Sequence, residues 1–350
     1  MEKENFNYKL PVGLIAQEPN NPRDHSRMMI LDRLNGAIFH SNFFDLPKIL
    51  DEKYVLVFNN TQVMPARVFG YKETGGKVEV LFVKKLTQKV WEVLIKGKIT
   101  IGTKITLSRQ IQLQVINFKD QIFRIKILKG DCILREFLRK KGQMPLPPYI
   151  KSQMKENEAR KKYQSIFAKI DGSVAAPTAS LHFTPRILNR LKNKKIKFAF
   201  LTLEVGWGTF APVKSKKIED HKIHNEKMVI TQKTADFLNQ KKKEGKKILA
   251  IGTTVARALE TATDGKGILH EHNKETSIYI YPPYKFKFVD AMLTNFHLPK
   301  SSLLFLVSAF AKTSADKSAF AGRDKIFKAY REAVKKKYRF FSFGDCMLIK

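Results

Sequence analysis

Six stretches of the chain place histidines, carboxylates and hydroxyls where neither a core nor a plain surface needs them. In residues 172–185, GSVAAPTASLHFTP, small side chains around Ser173, Pro177 and Thr178 permit close backbone approach, and Thr184 followed by Pro185 marks a helix N-cap and first turn. His182 then stands just ahead of a helix N-terminus, where free N–H groups and the dipole attract a phosphate or a carboxylate. An ordinary capped helix beside a loop histidine fits the same letters. Residues 201–213, LTLEVGWGTFAPV, end a strand in a Gly-x-Gly turn at Gly206, with Glu204, Trp207 and Phe210 around it. A carboxylate with aromatic faces suits a cationic ligand such as a sulfonium, although two glycines say little about nucleotides and Trp207 also fits a core. His221, His224 and Glu226 are spaced for acid–base work or substrate contact rather than for a metal, because the His-Glu-x-x-His order and a partner cysteine are missing.

Residues 248–260, ILAIGTTVARALE, read as strand, turn and helix, with Thr253 or Thr254 placed to cap and Arg257 one turn in. That arrangement can hold a phosphate or carboxylate, and an unremarkable α/β unit looks the same. Residues 293–310, LTNFHLPKSSLLFLVSAF, put Asn295 and His297 in a loop ahead of an apolar core helix. Residues 57–70, VFNNTQVMPARVFG, leave a strand through Asn59 and reach Arg67, where the texture of the chain changes; such junctions favour ligand clefts.

Positioning these groups falls to two kinds of element. Residues 28–33 and 54–59 are apolar enough for core strands, and beyond Tyr163 strands (FAFLTLEV, KKILAIG, TSIYIY) alternate with amphipathic helices, which argues an α/β main domain whose mixed sheet is covered by helices. Between them, six short alternating runs from about Arg67 to Leu128 predict an inserted small six-stranded antiparallel β-barrel domain. A short helix, CILREFLRKKG, and the proline-rich linker MPLPPYI follow. The expected division is 1–65 with 145–350 for the main domain and 66–144 for the barrel.

Of 350 residues, 65 are Lys or Arg and 32 Asp or Glu, a net charge of +33. Such an excess points toward a polyanion, but 50 of the basic residues are lysines in a chain rich in Ile, Phe and Asn, as an AT-rich coding sequence would also give. Cys132 and Cys346 fit neither a disulfide framework nor a metal spacing, which suits a reducing cytoplasm. The longest apolar run, residues 303–311, is too short to span a bilayer.

Taken together, LIAQEPNNPRDHSR, VFNNTQVMPAR, GGKVEVLF, GQMPLPPYI, YQSIFA, GSVAAPTASLHFT, VGWGTFAPV, HKIHNE, AIGTTVARALE, TNFHLPKSSLLFLVSAF and YRFFSFGDCMLI resemble one family along essentially the whole chain: the S-adenosylmethionine:tRNA ribosyltransferase-isomerases of queuosine biosynthesis. The resemblance implies an α/β domain interrupted by a barrel. It also implies transfer and isomerisation of the ribosyl part of S-adenosylmethionine onto 7-aminomethyl-7-deazaguanine at the tRNA wobble position, giving epoxyqueuosine, adenine and methionine. No cofactor or metal is implied, S-adenosylmethionine being consumed as co-substrate. A monomer in the cytoplasm, with tRNA as partner and no membrane, is expected.

By position, His182 and Thr184 are expected at the centre of the site. His221, His224 and Glu226 are expected to take protons or hold ribose hydroxyls, and His297 to serve as acid, base or ligand contact. Ser173, Pro177, Thr178, Glu204, Gly206, Thr253, Thr254, Arg257, Asn295, Asn59 and Arg67 are expected to bind substrate. The chain departs from the family pattern at Ser180, Glu204, Val255 and Pro283, where glycine, histidine, serine and glycine are usual; Glu204 weakens any scheme needing a histidine base there. Two alternatives are an S-adenosylmethionine-dependent RNA methyltransferase, which would want a glycine-rich turn and an acidic partner not found here, and a non-catalytic RNA-binding module, which the charge and barrel would satisfy.

Overall fold

A computed structural model describes every residue except Gln153, Ala211 and Ala319, and the backbone alone of Phe210. In chain order the strands are β1 (Arg27–Leu31), β2 (Ile38–Asn42), β3 (Tyr54–Asn59), β4 (Thr61–Val63), β5 (Arg67–Lys72), β6 (Lys77–Lys85), β7 (Val90–Lys96), β8 (Lys104–Ser108), β9 (Ile111–Lys119), β10 (Ile122–Lys129), β11 (Ile170–Ser173), β12 (Lys197–Leu203), β13 (Glu226–Ile230), β14 (Lys247–Ile251), β15 (His272–Thr276), β16 (Ala291–Asn295) and β17 (Cys346–Ile349). The α-helices are α1 (Leu46–Ile49), α2 (Leu134–Lys141), α3 (Glu156–Lys162), α4 (Pro185–Asn193), α5 (Gln232–Lys243), α6 (Thr253–Ala262), α7 (Ser302–Ala311) and α8 (Ala321–Lys335).

Nine strands form one mixed sheet in the order β15-β13-β12-β3-β14-β16-β17-β1-β2. Its centre, β12, β3, β14 and β16, is parallel. Strands β3, β14 and β16 are near-continuous apolar runs, as burial on both faces requires. One face packs on α5, α6, α7 and α8 through residues such as Leu259, Phe305 and Tyr330, the other on α4 through Ile187 and Leu191 and on Phe183 just before it. β17 follows every other strand in the chain yet lies inside the sheet, between β16 and β1.

β5 to β10 close into the six-stranded barrel anticipated from their alternation, around Val80, Phe82, Leu113 and Ile125. The chain enters and leaves it side by side: Arg67 and Gln143 exchange backbone hydrogen bonds of 3.2 and 2.7 Å. Gly142 makes that approach possible, since a Cβ there would lie 1.8 Å from the Pro65 carbonyl oxygen. Beyond the barrel, β11 pairs with β4.

Three expectations are corrected. TSIYIY is no strand: the edge strand β15 takes the preceding polar HNKET, and the chain leaves the ladder at Thr276 because Ile278 instead offers its carbonyl to Arg257. Helix α6 is capped by Gly252, not by Thr253 or Thr254, which occupy its first turn. Strands β2, β4, β11, β13, β16 and β17 were not anticipated, and Asn295, expected in a loop, instead ends the fully buried β16, where the ladder to β17 holds it.

Candidate active site

The four parallel strands end side by side at Leu203, Asn59, Ile251 and Asn295, the place where open α/β sheets bind ligands. A cavity of about 330 Å³ opens there, bordered by Pro177 and Thr178, by Gly252, Thr253 and Thr254, and by Thr294, Asn295 and His297. Gly252 at φ +97° turns β14 straight into α6, a conformation that favours glycine, and the first N–H groups of α6 are left without intrahelical acceptors. Thr254 is 7 % exposed and its Oγ1 has no hydrogen-bond partner.

A hydrogen-bonded chain fixes the opposite wall. Thr178 Oγ1 donates to Asn295 Oδ1 at 2.8 Å, the Asn295 amide donates to His182 Nε2 at 3.3 Å, and His182 Nδ1 meets Ser26 Oγ at 2.7 Å. Since Nε2 accepts, the proton of the neutral ring sits on Nδ1. His182 therefore lies behind the cavity wall, holding Asn295. His297 borders the cavity, its Nε2 2.9 Å from Thr294 Oγ1. Burial lowers both imidazoles to about 3, with Arg339 and Arg23 adding to the effect at His182. Both are neutral at physiological pH and act through hydrogen bonds.

Residues 205–209 form the divide between this cavity and its neighbours. Glu226 Oε1 accepts from the Gly206 N–H at 2.9 Å and from Thr209 Oγ1 at 3.2 Å. Its Oε2 takes the Arg257 guanidinium in a buried ion pair. Arg257 Nη2 is buried with no partner. On the far side of the turn lies a second cleft of about 410 Å³ between barrel and sheet, bordered by Trp91, Arg135, Glu204, Gly206, Trp207 and His224. Val205 borders both spaces, and a gap of about 20 Å³ beside Thr209, His224, Glu226 and Arg257 lies at the same turn. His224 packs on Trp207 with ring centroids 5.3 Å apart.

Other candidates are held elsewhere. Thr184 caps α4 by accepting from the Ile187 N–H, and its hydroxyl donates to Asp24 at 2.6 Å. The buried Asp24 carboxylate, also paired with Arg186, thus occupies the helix start where an anionic ligand was expected, which corrects that reading. Asn59 is fully buried, and its carboxamide bridges the ends of β3 and β12 through Leu203 and Thr61. Ser173, also fully buried, joins Thr61 Oγ1 to the Val205 N–H. Arg67 donates to the Leu146 carbonyl at 3.0 Å, tying barrel to linker. These three hold the frame and border none of the cavities. His221 packs edge-on against Tyr279, and burial, with His224 nearby, lowers its pKa. Among the described residues, no three His, Cys, Asp or Glu side chains gather as metal ligands.

Sequence reasoning passed over Thr209 and Thr294, hydroxyls inside quoted motifs that a search for hydroxyls beside Gly-x-Gly and Asn-x-His would have found. It also passed over Ser26 and Asp24, for which nothing local signals a role.

Against known proteins, residues 3–349 match the family described as queuosine biosynthesis protein. The chain belongs to that family. Among queuosine biosynthesis proteins and their kin, it is 44% identical over 353 residues to the S-adenosylmethionine:tRNA ribosyltransferase-isomerase of Caldanaerobacter subterraneus subsp. tengcongensis, with both chains covered in full. It is 46% identical to the protein of the same name from Staphylococcus haemolyticus, again over 353 residues and all of both chains. The crystal structure of S-adenosylmethionine tRNA ribosyltransferase from Thermotoga maritima is similar with a TM-score of 0.55 at 33% identity, covering 99% of this chain and 100% of that one. The family resemblance read from the motifs is thereby borne out.

Proposed function

We propose that the chain transfers the ribosyl part of S-adenosylmethionine onto 7-aminomethyl-7-deazaguanine in a tRNA anticodon and isomerises it to the epoxide, releasing adenine and methionine. The observation that carries this reading, beside family membership, is the cavity at the strand ends, into which the first turn of α6 brings Thr253 and Thr254. An amino-acid carboxylate fits there: unpaired N–H groups, the helix dipole and the Thr254 hydroxyl are the donors it needs. Asn295, held by Thr178 and His182, and the neutral His297 then meet the ribose hydroxyls and purine edge.

A sulfonium acidifies the CH₂ beside it, so removing one proton gives an ylide whose collapse expels adenine. His224 is the histidine we assign to that proton, because it borders the gap beside Thr209, a residue that also borders the main cavity. Glu226 and Arg257 neutralise each other and fix the turn. The division at 65/66 and 144/145, a monomeric state and a cytoplasmic location are part of the same proposal; no helix among the described residues is long and apolar enough to cross a membrane.

The test is direct. Protein, S-adenosylmethionine and tRNA bearing the aminomethyl base are incubated, and adenine, methionine and the mass gain on tRNA are measured. S-adenosylhomocysteine in place of adenine would identify a methyltransferase, and tRNA binding without turnover a binding module.

A further inference from the structure

Five carboxylates border the cleft between barrel and sheet: Glu92, Asp171, Glu204, Glu226 and Glu275. Four of them accept hydrogen bonds from cations, Glu92 from Arg124 at 3.4 Å, Asp171 from Arg139, Glu226 from Arg257 and Glu275 from Lys84 at 2.5 Å. Among the described residues, Glu204 is the carboxylate of this cleft whose side chain makes no hydrogen bond; Lys227 Nζ stands 3.9 Å away. It also has a built seat. The side chain lies on Gly172, where a Cβ would come within 2.7 Å of Glu204 Cδ.

A carboxylate held by a loose 3.9 Å ion pair without a hydrogen bond, in a cleft whose other acids are hydrogen-bonded to cations, is a seat for a further cationic group, and charge-assisted hydrogen bonds are the strong ones. Building on the reaction proposed above, we propose that this cleft receives the aminomethyl-deazaguanine base, and that Glu204 binds its ammonium group and takes one proton from it. Trp207 at the border offers the extruded base an aromatic face. One ammonium N–H bond breaks, its electron pair staying on nitrogen and the proton passing to a Glu204 oxygen. The neutral amine then forms the C–N bond to the ribosyl carbon of the unsaturated sulfonium, whose double-bond pair moves to the carbon beside sulfur; Glu204 returns its proton to solvent. Val205, which borders both this cleft and the S-adenosylmethionine cavity, places the two reactants on either side of one turn.

The charges facing Glu204 are Lys227 on β13, Lys84 on β6, Arg135 on α2 and Glu275 on β15. Burial raises the Glu204 pKa, the three cations oppose that rise and Glu275 adds to it. A raised carboxylate is the better proton acceptor near neutrality.

The test compares wild type with Glu204→Gln for binding to anticodon stem-loops carrying either the aminomethyl base or neutral 7-cyano-7-deazaguanine at the same position. Wild type should prefer the aminomethyl form by about tenfold or more, and Glu204→Gln should bind both about equally, with an unchanged KM for S-adenosylmethionine. Turnover by Glu204→Gln should be low at pH 7 and recover as rising pH frees the amine. Gly172→Ala, which unseats Glu204 without removing its charge, should weaken the preference. An undiminished preference in Glu204→Gln overturns the proposal. A wild-type protein that yields no adenine from either tRNA overturns the reaction reading instead.

Discussion

The amide of Asn295 reaches across the wall of the main cavity to Nε2 of His182, at 3.3 Å, so a histidine that never borders the cavity determines which face of Asn295 does. With Thr178 on the amide oxygen and Ser26 on the far ring nitrogen, one orientation of each group satisfies the whole chain. His182→Ala should therefore leave a folded protein with most activity lost, and the loss should appear in kcat/KM for S-adenosylmethionine. Near-normal turnover in that variant would show that Asn295 needs no support.

Acid stability follows from the same burial. His182 and His297 sit at about 3 in the folded protein and at 6.5 in the unfolded chain. Between those values the unfolded state binds more protons, so the stability these neutral rings contribute is complete above about pH 6.5 and drains away as pH falls toward 3. Urea midpoints recorded from pH 7.5 to 4.5 should fall steadily, and His297→Gln should flatten the slope. An unchanged slope would mean that the ring is not held neutral.

Thr254 separates binding from folding. Its buried hydroxyl has no hydrogen-bond partner, so Thr254→Val should be neutral or slightly stabilising. Removing a donor from the first turn of α6 should nevertheless raise the KM for S-adenosylmethionine by roughly tenfold, about 1.4 kcal/mol, with little change in kcat. A KM that does not move would take the substrate carboxylate away from this helix.

Thr184 should behave in the opposite way. As N-cap of α4 and donor to Asp24, it holds structure outside the cavities, and Thr184→Ala should cost about 1 kcal/mol of stability with turnover of the surviving folded protein retained. A specific collapse of kcat would restore it to the reacting centre.

Much of the fold was legible because its pattern is periodic. The six barrel runs alternate so regularly that the strand count follows from the letters, whereas closure rests on the β7–β10 and β5–β8 pairings between strands distant in the chain; helices such as α7 and α8 carry unbroken apolar faces. Strand β17 was not legible: CMLI is four residues, too short for any period to show, and pairing with β1 and β16 decides it. The TSIYIY segment failed in the reverse sense, since aromatic and β-branched letters promised a strand whose ladder an arginine interrupts. At the site, motifs marked the walls of the cavities but not the direction of each side chain. Asn59, Ser173 and Arg67 share those motifs because the frame depends on them, and the letters alone do not separate a residue that holds the frame from one that faces the ligand.

The position of β17 bears on how the molecule is made. Asn295 stands opposite Cys346 in the β16–β17 ladder, and β1 joins the rest of the sheet only through β17. A chain emerging from the ribosome can close its barrel early, because the contacts there are local, whereas the early-made β1–β2 hairpin must wait for the last-made strand. Binding competence thus arrives late in synthesis, and nascent chains short of β17 expose an open strand edge that favours mispairing.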